Sequence, residues 1–308
     1  MSELELYRKH RPTKFSDVVG QEAAMKTLKA WFTKKTFPHA VLITGPSGVG
    51  KTTLARLLKT KLNCSDMDYT EINCAGLESP IDTIRSIQQT MLLSPVCGSS
   101  RIWYLDEAAA VRRSMAGQEA MLKMLEDGPP HAYFILATTD PDKLLKTIRT
   151  RCNTLNLKPL KADTLKSVVD RVLKLENITV SEAVQNKLVE IAEGSARQIL
   201  SDLHRIIGLK TEEDQLESLE SLGVQDKAFK IAQLLVKDKT KWKDVADLLR
   251  DIDDDPEKIR RLVLSYANKC LLNGMGRAAD IISVFKYNLF DCGLPGLTEY
   301  CWTVINQK

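Results

Sequence analysis

The first 160 residues alternate short β-branched or apolar runs with longer stretches whose apolar positions recur every three or four residues. Runs of the first kind lie at 39–44, 69–73, 101–105, 133–137 and 153–157, and each predicts a strand. Strands separated by amphipathic stretches predict a parallel α/β sheet with helices on both faces. After about Leu160 the strand pattern stops. Segments 161–175, 181–193 and 195–207 predict three helices, with Asp163 and Ser181 as N-caps and Gly194 and Gly208 as breaks. The acidic, weakly apolar segment 210–223 reads as a linker. Beyond it, about five further helices are expected, punctuated at Asp238, 251–256, 273–276 and 293–296. The plan is therefore an α/β domain at 1–158, a small helical domain at 159–210 and an all-α domain at 224–308.

Composition changes this picture little. A 308-residue chain with 44% hydrophobic and 27% charged residues suits a soluble globular protein. Charged residues break every apolar stretch well short of the roughly 18 residues a membrane span needs. The acidic start, Met1-Ser2-Glu3-Leu4-Glu5, lacks the basic and apolar regions of a signal peptide, so neither leader nor membrane partner is expected. Seven scattered cysteines (64, 74, 97, 152, 270, 292 and 301) form no CxxC pair. That argues against zinc and a disulfide framework and suits a reducing cytosol. Residues 1–160 carry 22 basic against 16 acidic side chains, and residues 161–308 carry 22 against 24. An anionic partner is thus better accommodated by the N-terminal half.

The chemistry begins at Gly45-Pro46-Ser47-Gly48-Val49-Gly50-Lys51-Thr52, which fits G-x-x-x-x-G-K-[ST] between an expected strand and an expected helix. Glycines there let backbone N–H groups converge on a phosphate at a helix N-terminus, where the dipole favours anions. Lys51 would bridge the β- and γ-phosphates of ATP, and Thr52 would hold Mg²⁺. Thr53 continues into the helix beside the nucleotide. A chance Gly-rich turn is the plain alternative. Asp106 and Glu107 end the apolar run 102–105. In that position Asp106 orients the Mg²⁺ shell and Glu107 polarises an attacking water; otherwise the pair is a solvated strand end.

Five further motifs, in order along the chain, make it resemble an AAA+ ATPase, specifically a sliding-clamp loader ATPase subunit. The likeness covers nearly all of 6–207, and only architecture beyond that. Leu6-Tyr7-Arg8-Lys9-His10-Arg11-Pro12 and Phe15-Ser16-Asp17-Val18-Val19-Gly20-Gln21 resemble the family's adenine-packing segment. By that likeness Tyr7, Arg11, Pro12, Val18 and Val19 lie near the base. The run Phe134-Ile135-Leu136-Ala137-Thr138-Thr139-Asp140-Pro141 resembles the sensor 1 strand, which implies Thr139 facing the γ-phosphate. Thr150-Arg151-Cys152 resembles the Ser-Arg-Cys motif, whose arginine enters a neighbour's ATP site, with Thr for Ser here. Gly194-Ser195-Ala196-Arg197 resembles sensor 2, implying that Arg197 contacts the γ-phosphate from a helical lid. Gln118 matches a polar position that the family uses to couple subunits, though a solvated helix residue reads equally well.

The resemblance implies an AAA+ P-loop domain followed by a lid and an oligomerising collar. It implies ATP and Mg²⁺, a pentameric assembly with other loader subunits, a sliding clamp and primer–template DNA as partners. It implies clamp opening driven by ATP and hydrolysis stimulated by clamp and primed DNA. Ile81 and Arg85, at the helix start 79–85, would face DNA, and Arg112 and Arg113 are a second candidate or a solvated basic turn. Met91, Leu92, Leu93, Pro95 and Val96 correspond to a clamp-docking segment, with core packing as the alternative. The bacterial version carries a four-cysteine module before the Asp-Glu strand, and Cys64, Cys74 and Cys97 do not fit its spacing. That compactness resembles archaeal, eukaryotic or phage small subunits, whereas Ala137-Thr138-Thr139-Asp140-Pro141 is bacterial in wording, so the cytoplasm of a bacterium or phage-infected host is expected. Rival readings are another AAA+ DNA motor, such as a branch-migration helicase or helicase loader, or a non-hydrolysing scaffold subunit. The intact Lys51, Thr52, Asp106 and Glu107 argue against the scaffold.

Overall fold

A computed structural model describes residues 5–209, 211–237, 240–250, 252, 255–289 and 292–306; the side chains of Arg113 and 220–226 lie outside the described set. The described chain divides into two compact units, 1–208 and 209–308.

The first unit begins with a short helix, α1 (Leu6–Lys9), then α2 (Glu22–Thr33), β1 (Ala40–Thr44) and α3 (Lys51–Lys61). Next come β2 (Tyr69–Asn73), α4 (Pro80–Thr90), β3 (Arg101–Asp106), α5 (Met115–Glu126) and β4 (Ala132–Thr138). α6 (Lys146–Arg151) and β5 (Asn153–Asn156) complete the α/β part. The strands form one parallel sheet in the order β2-β3-β4-β1-β5, with Leu42 opposite Leu136 and Leu105 beside the same residue. All five expected strands are present. β1 is buried along its whole length, as a central parallel strand covered on both faces must be.

Alternation along the strands sorts their side chains into two cores. Leu42, Trp103, Leu105, Phe134 and Leu136 pack with Ile84, Ile87, Met121 and Met124 of α4 and α5. Val41, Ile43, Tyr104, Ile135 and Ala137 pack on the other face with Leu28, Leu54 and Leu58 of α2 and α3. This order also positions the chemistry. β4 lies between β1 and β3, so its polar end, Thr138-Thr139, emerges between the glycine-rich loop and the carboxylates.

Three helices follow: α7 (Ala162–Glu176), α8 (Glu182–Ile191) and α9 (Ala196–Ile206). Ser181 caps α8 by accepting from the Val184 N–H. Asp163 is not a cap: Lys161 holds that position without a side-chain bond, and Asp163 lies in the first turn, where a carboxylate still favours the helix dipole.

The second unit contains α10 (Glu212–Val236), α11 (Trp242–Arg250), α12 (Pro256–Leu272), α13 (Arg277–Phe285) and α14 (Gly293–Asn306). The expected linker at 210–223 is instead largely the first half of α10. Thr211 caps it through the Asp214 N–H, the acidic triplet 212–214 suits the dipole, and Leu219 is buried. Likewise 293–296 opens α14 rather than breaking a helix, because Pro295 falls in the first turn, where a missing N–H costs nothing. A buried ion pair joins Glu257 to Arg260 at 2.6 Å, and Glu257 also accepts the Leu289 N–H at 2.9 Å. No helix among the described residues is long and apolar enough to cross a membrane.

Candidate nucleotide-binding site

β1 delivers the chain into a tight loop that only glycine can make at two points. Gly45 has φ +147°, and a Cβ there would collide with the Leu157 carbonyl oxygen. Gly48 has φ +77°, and a Cβ there would collide with the Ser195 hydroxyl. α3 then opens at Lys51, whose buried ammonium donates to the carbonyls of Gly45 (2.7 Å) and Pro46 (2.8 Å). Burial pushes the Lys51 pKa down, and the nearby Glu107 and Asp106 oppose that shift.

Two carboxylates close the site from β3. The Thr52 hydroxyl donates to Asp106 Oδ2 at 3.2 Å and accepts from the buried Tyr104 phenol at 3.1 Å. This pair of hard oxygen donors fits Mg²⁺. Asp106 Oδ1 accepts the Glu107 N–H at 3.1 Å. Glu107 itself is left-handed (φ 48°, ψ 44°), an uncommon conformation for a side chain with a Cβ, which turns it off the strand axis. Its Oε2 accepts from the exposed Thr139 hydroxyl at 3.4 Å.

Tyr7, Arg11, Pro12, Val18 and Val19 line the same cleft as 47–53, Asp106, Glu107 and Arg197. Arg197 sits one residue into α9, its N–H donating to the Gly48 carbonyl at 3.3 Å and its guanidinium 5.9 Å from the Tyr7 ring centre. Burial lowers the Arg11 pKa, and the positive Arg56 and Arg197 add to that. Arg11, Arg197 and Lys51 give the cleft a field suited to a polyanion.

Other expected residues lie elsewhere. Arg151, at the end of α6, is ion-paired with Glu126 outside the cleft. Gln118 is not a solvated helix residue: it is buried at 3% exposure and accepts the Leu145 N–H at 3.0 Å, fastening α5 to the start of α6. Arg85 and Arg112 are exposed and Ile81 half-buried, while the Arg113 side chain lies outside the described residues. Within the apolar segment, Leu92, Leu93 and Val96 are 66%, 59% and 66% exposed. Pro95 is half-buried. Met91 is the exception. At 4% exposure it belongs to the core beside Ile87, because it completes the buried face of α4.

Sequence reading missed His10, Asp17, Gln21 and Arg171, which also line the cleft. His10 and Lys9 hold Glu176 at 2.5 and 2.7 Å, and Arg171 donates to the Asp17 carbonyl at 3.4 Å. His10, Asp17 and Gln21 fall inside the recognised segments 6–12 and 15–21 but carried no signal of their own, since the His10–Glu176, Arg171–Asp17 and Gln21–Lys158 contacts span 166, 154 and 137 residues.

Known proteins share parts of this sequence and this fold. A family described as DNA polymerase III, delta subunit, matches residues 67–161, and one described as Sigma-54 interaction domain matches 18–86. The fold resembles that of the Thermotoga maritima RuvB Holliday junction branch migration motor, with a TM-score of 0.59 and 21% identity over 74% of this chain and 79% of that one. DNA polymerase III subunit gamma/tau of Mycobacterium tuberculosis is 32% identical over 73% of this chain and 43% of its own length. The Bacillus subtilis subunit tau is 30% identical over 88% of this chain and 52% of its own length, so the chain spans about half of these relatives. The gamma subunit of Buchnera aphidicola is shorter, and its 30% identity extends over 77% of this chain and 71% of its own length. With that span of similarity, the chain belongs to the DNA polymerase III gamma/tau subunit family.

Proposed function

We propose that the chain is an ATPase subunit of a sliding-clamp loader, using ATP binding and hydrolysis to open the clamp and place it on primed DNA. One observation carries this reading: the phosphate loop, the Asp106–Glu107 pair and Arg197 converge on a single cleft in a member of the gamma/tau family.

Lys51, freed from the loop carbonyls it now contacts, meets the β- and γ-phosphates, while the loop residues other than Pro46 offer their N–H groups. Thr52 and Asp106 would hold Mg²⁺, which when bound neutralises charge on the phosphate oxygens. Glu107 orients the attacking water and takes its proton, and Thr139 holds the Glu107 carboxylate in place. Arg197 stabilises charge on the γ-phosphate from the lid. Arg151 serves the site of a neighbouring subunit, so hydrolysis waits for assembly. Gln118 links α5 to the helix bearing that arginine and so relays between subunits.

In this reading 1–158 is the nucleotide-binding domain, 159–208 the lid and the helical unit 209–308 the collar of a pentamer, working in the cytoplasm. Leu92, Leu93, Pro95 and Val96 meet the clamp. Ile81, Arg85, Arg112 and Arg113 meet the phosphates of a primer–template junction. ATPase assays with clamp and primed DNA, singly and together, test the proposal. Joint stimulation supports it, and a rate indifferent to the clamp refutes it in favour of another AAA+ motor.

A further inference from the structure

Gln21 holds an unusual place in the cleft. Its carboxamide is buried at 7% exposure and meets three backbone groups from two distant segments. Nε2 donates to the Lys158 carbonyl at 2.8 Å and lies 3.5 Å from the Val49 carbonyl, while Oε1 accepts the Lys158 N–H at 3.1 Å. A primary amide is the side chain that can pair with both ends of one residue's backbone, offering a donor and an acceptor side by side.

Lys158 lies in the short connector between β5 and α7, where the sheet hands over to the three helices carrying Arg197. Two residues on, the Leu160 N–H donates to the Gly194 carbonyl at 2.9 Å. Gly194 precedes Ser195, the N-cap of α9, and the Arg197 N–H returns to Gly48 of the phosphate loop. Val49, next to Gly48, is the third group that Gln21 meets. The contacts therefore form a closed circuit from Gln21 through Lys158, Leu160, Gly194 and Arg197 to Gly48 and Val49. Gly20 tightens it: φ is +70°, and a Cβ there would lie 2.7 Å from Leu160 Cδ2, so the segment preceding α2 rests directly on the connector.

We infer that Gln21 is a positioning residue that fixes the connector against the phosphate loop and thereby holds Arg197 over the γ-phosphate. The inference rests on the proposed ATP-binding role of the cleft. Gln21 touches neither phosphate nor metal in this scheme; it acts through Arg197. Glutamate cannot replace it, because a carboxylate would face two carbonyl oxygens with no proton to donate.

The test is the preference of the intact protein for ATP over ADP in the presence of Mg²⁺, measured by displacement of a fluorescent nucleotide. It compares wild type, Gln21→Ala, Arg197→Ala and the double variant, with thermal melts alongside. Arg197→Ala is expected to lower the ATP/ADP preference about tenfold, the scale of one charge-assisted hydrogen bond. Gln21→Ala should lower it by a similar factor with ADP affinity nearly unchanged, and the double variant should match Arg197→Ala rather than multiply the losses. Gln21→Met, similar in length but apolar, should repeat the alanine result. A wild-type preference that survives both Gln21 variants overturns the inference alone, as do multiplicative losses. A wild type that binds ATP and ADP equally overturns it by removing the Arg197 role. Failure of both variants to fold assigns Gln21 to stability and overturns it also. A wild type that binds no nucleotide instead sinks the ATPase reading on which the inference stands.

Discussion

The Thr52 hydroxyl donates to Asp106 Oδ2 across 3.2 Å, joining the end of the phosphate loop to the end of β3, two strands away in the sheet. The two oxygens belong to residues 54 apart, and only the parallel register brings them together. Replacing Asp106 with Asn keeps the shape and removes the charge. We expect Asp106→Asn to raise the Mg²⁺ concentration needed for half-maximal hydrolysis about tenfold or more, with metal-free ATP binding little changed. A magnesium titration of the ATPase rate checks this.

Glu107 is held off the strand axis by its left-handed backbone and by Thr139. If it accepts the proton of the attacking water, Glu107→Gln should lower kcat about 100-fold or more while ATP still binds. Pre-steady-state phosphate release together with equilibrium nucleotide binding separates the two effects. An unchanged kcat would exclude the assignment.

Arg151 has its partner Glu126 on the surface, and an exposed pair of this kind contributes about 0–1 kcal/mol. Arg151→Ala should therefore leave the melting temperature and ATP affinity of the isolated chain close to wild type. In the assembled complex it should cut hydrolysis by about 1000-fold, as expected for an arginine supplied in trans. Mixed assemblies of Arg151→Ala with Lys51→Ala chains would reveal whose site is affected.

The apolar segment after α4 divides cleanly by burial. Leu92 and Leu93 are exposed, on a stretch fixed at both sides: His131 Nε2 lies within 3.1 Å of the Met91 and Leu93 carbonyls, and the buried Asp68 carboxylate accepts the Val96 and Cys97 N–H groups. Burial alone would raise the Asp68 pKa, but those bonds, Ser65 and Arg101 hold it well below the usual carboxylate range. Leu92→Asp with Leu93→Asp should abolish clamp binding with little loss of stability. Met91→Asp places a charge in the core and should destabilise the protein by about 3 kcal/mol or more. Melting curves and clamp binding, measured on both, distinguish a docking surface from ordinary core packing.

Acid should loosen the helical unit at 209–308. The Arg260 guanidinium holds the Glu257 carboxyl down at about 2, from an ordinary 4.5, despite burial. A depressed carboxylate contributes stability that is present above the unfolded pKa and lost as pH falls through the folded one. The contribution is thus complete above about pH 5 and fades between pH 4.5 and 2. Glu257→Gln should cost about 3 kcal/mol at neutral pH, and its deficit against wild type should shrink across that window. Denaturant titrations at several pH values measure it.

Much of this was legible in the chain. The five strands, the phosphate loop and the Asp106–Glu107 step follow from local runs of residues whose pattern needs no partner to interpret. Segment 210–223 was misread because its apolar content is low, whereas the Thr211 cap and the buried Leu219 decide its helix. Gln118 and Gln21 were opaque for another reason. Each is a polar residue whose value lies in a backbone group far along the chain, Leu145 in one case and Lys158 in the other. Met91 and Leu92 are adjacent and similar in character, and only the rotation of α4 tells them apart.

The most direct test of the central claim is retention of labelled sliding clamp on primed circular DNA, after the chain and its assembly partners are supplied with MgATP. The account predicts ATP-dependent retention that is lost with Lys51→Ala. Retention unaffected by that variant, or none with the wild-type assembly, would contradict it.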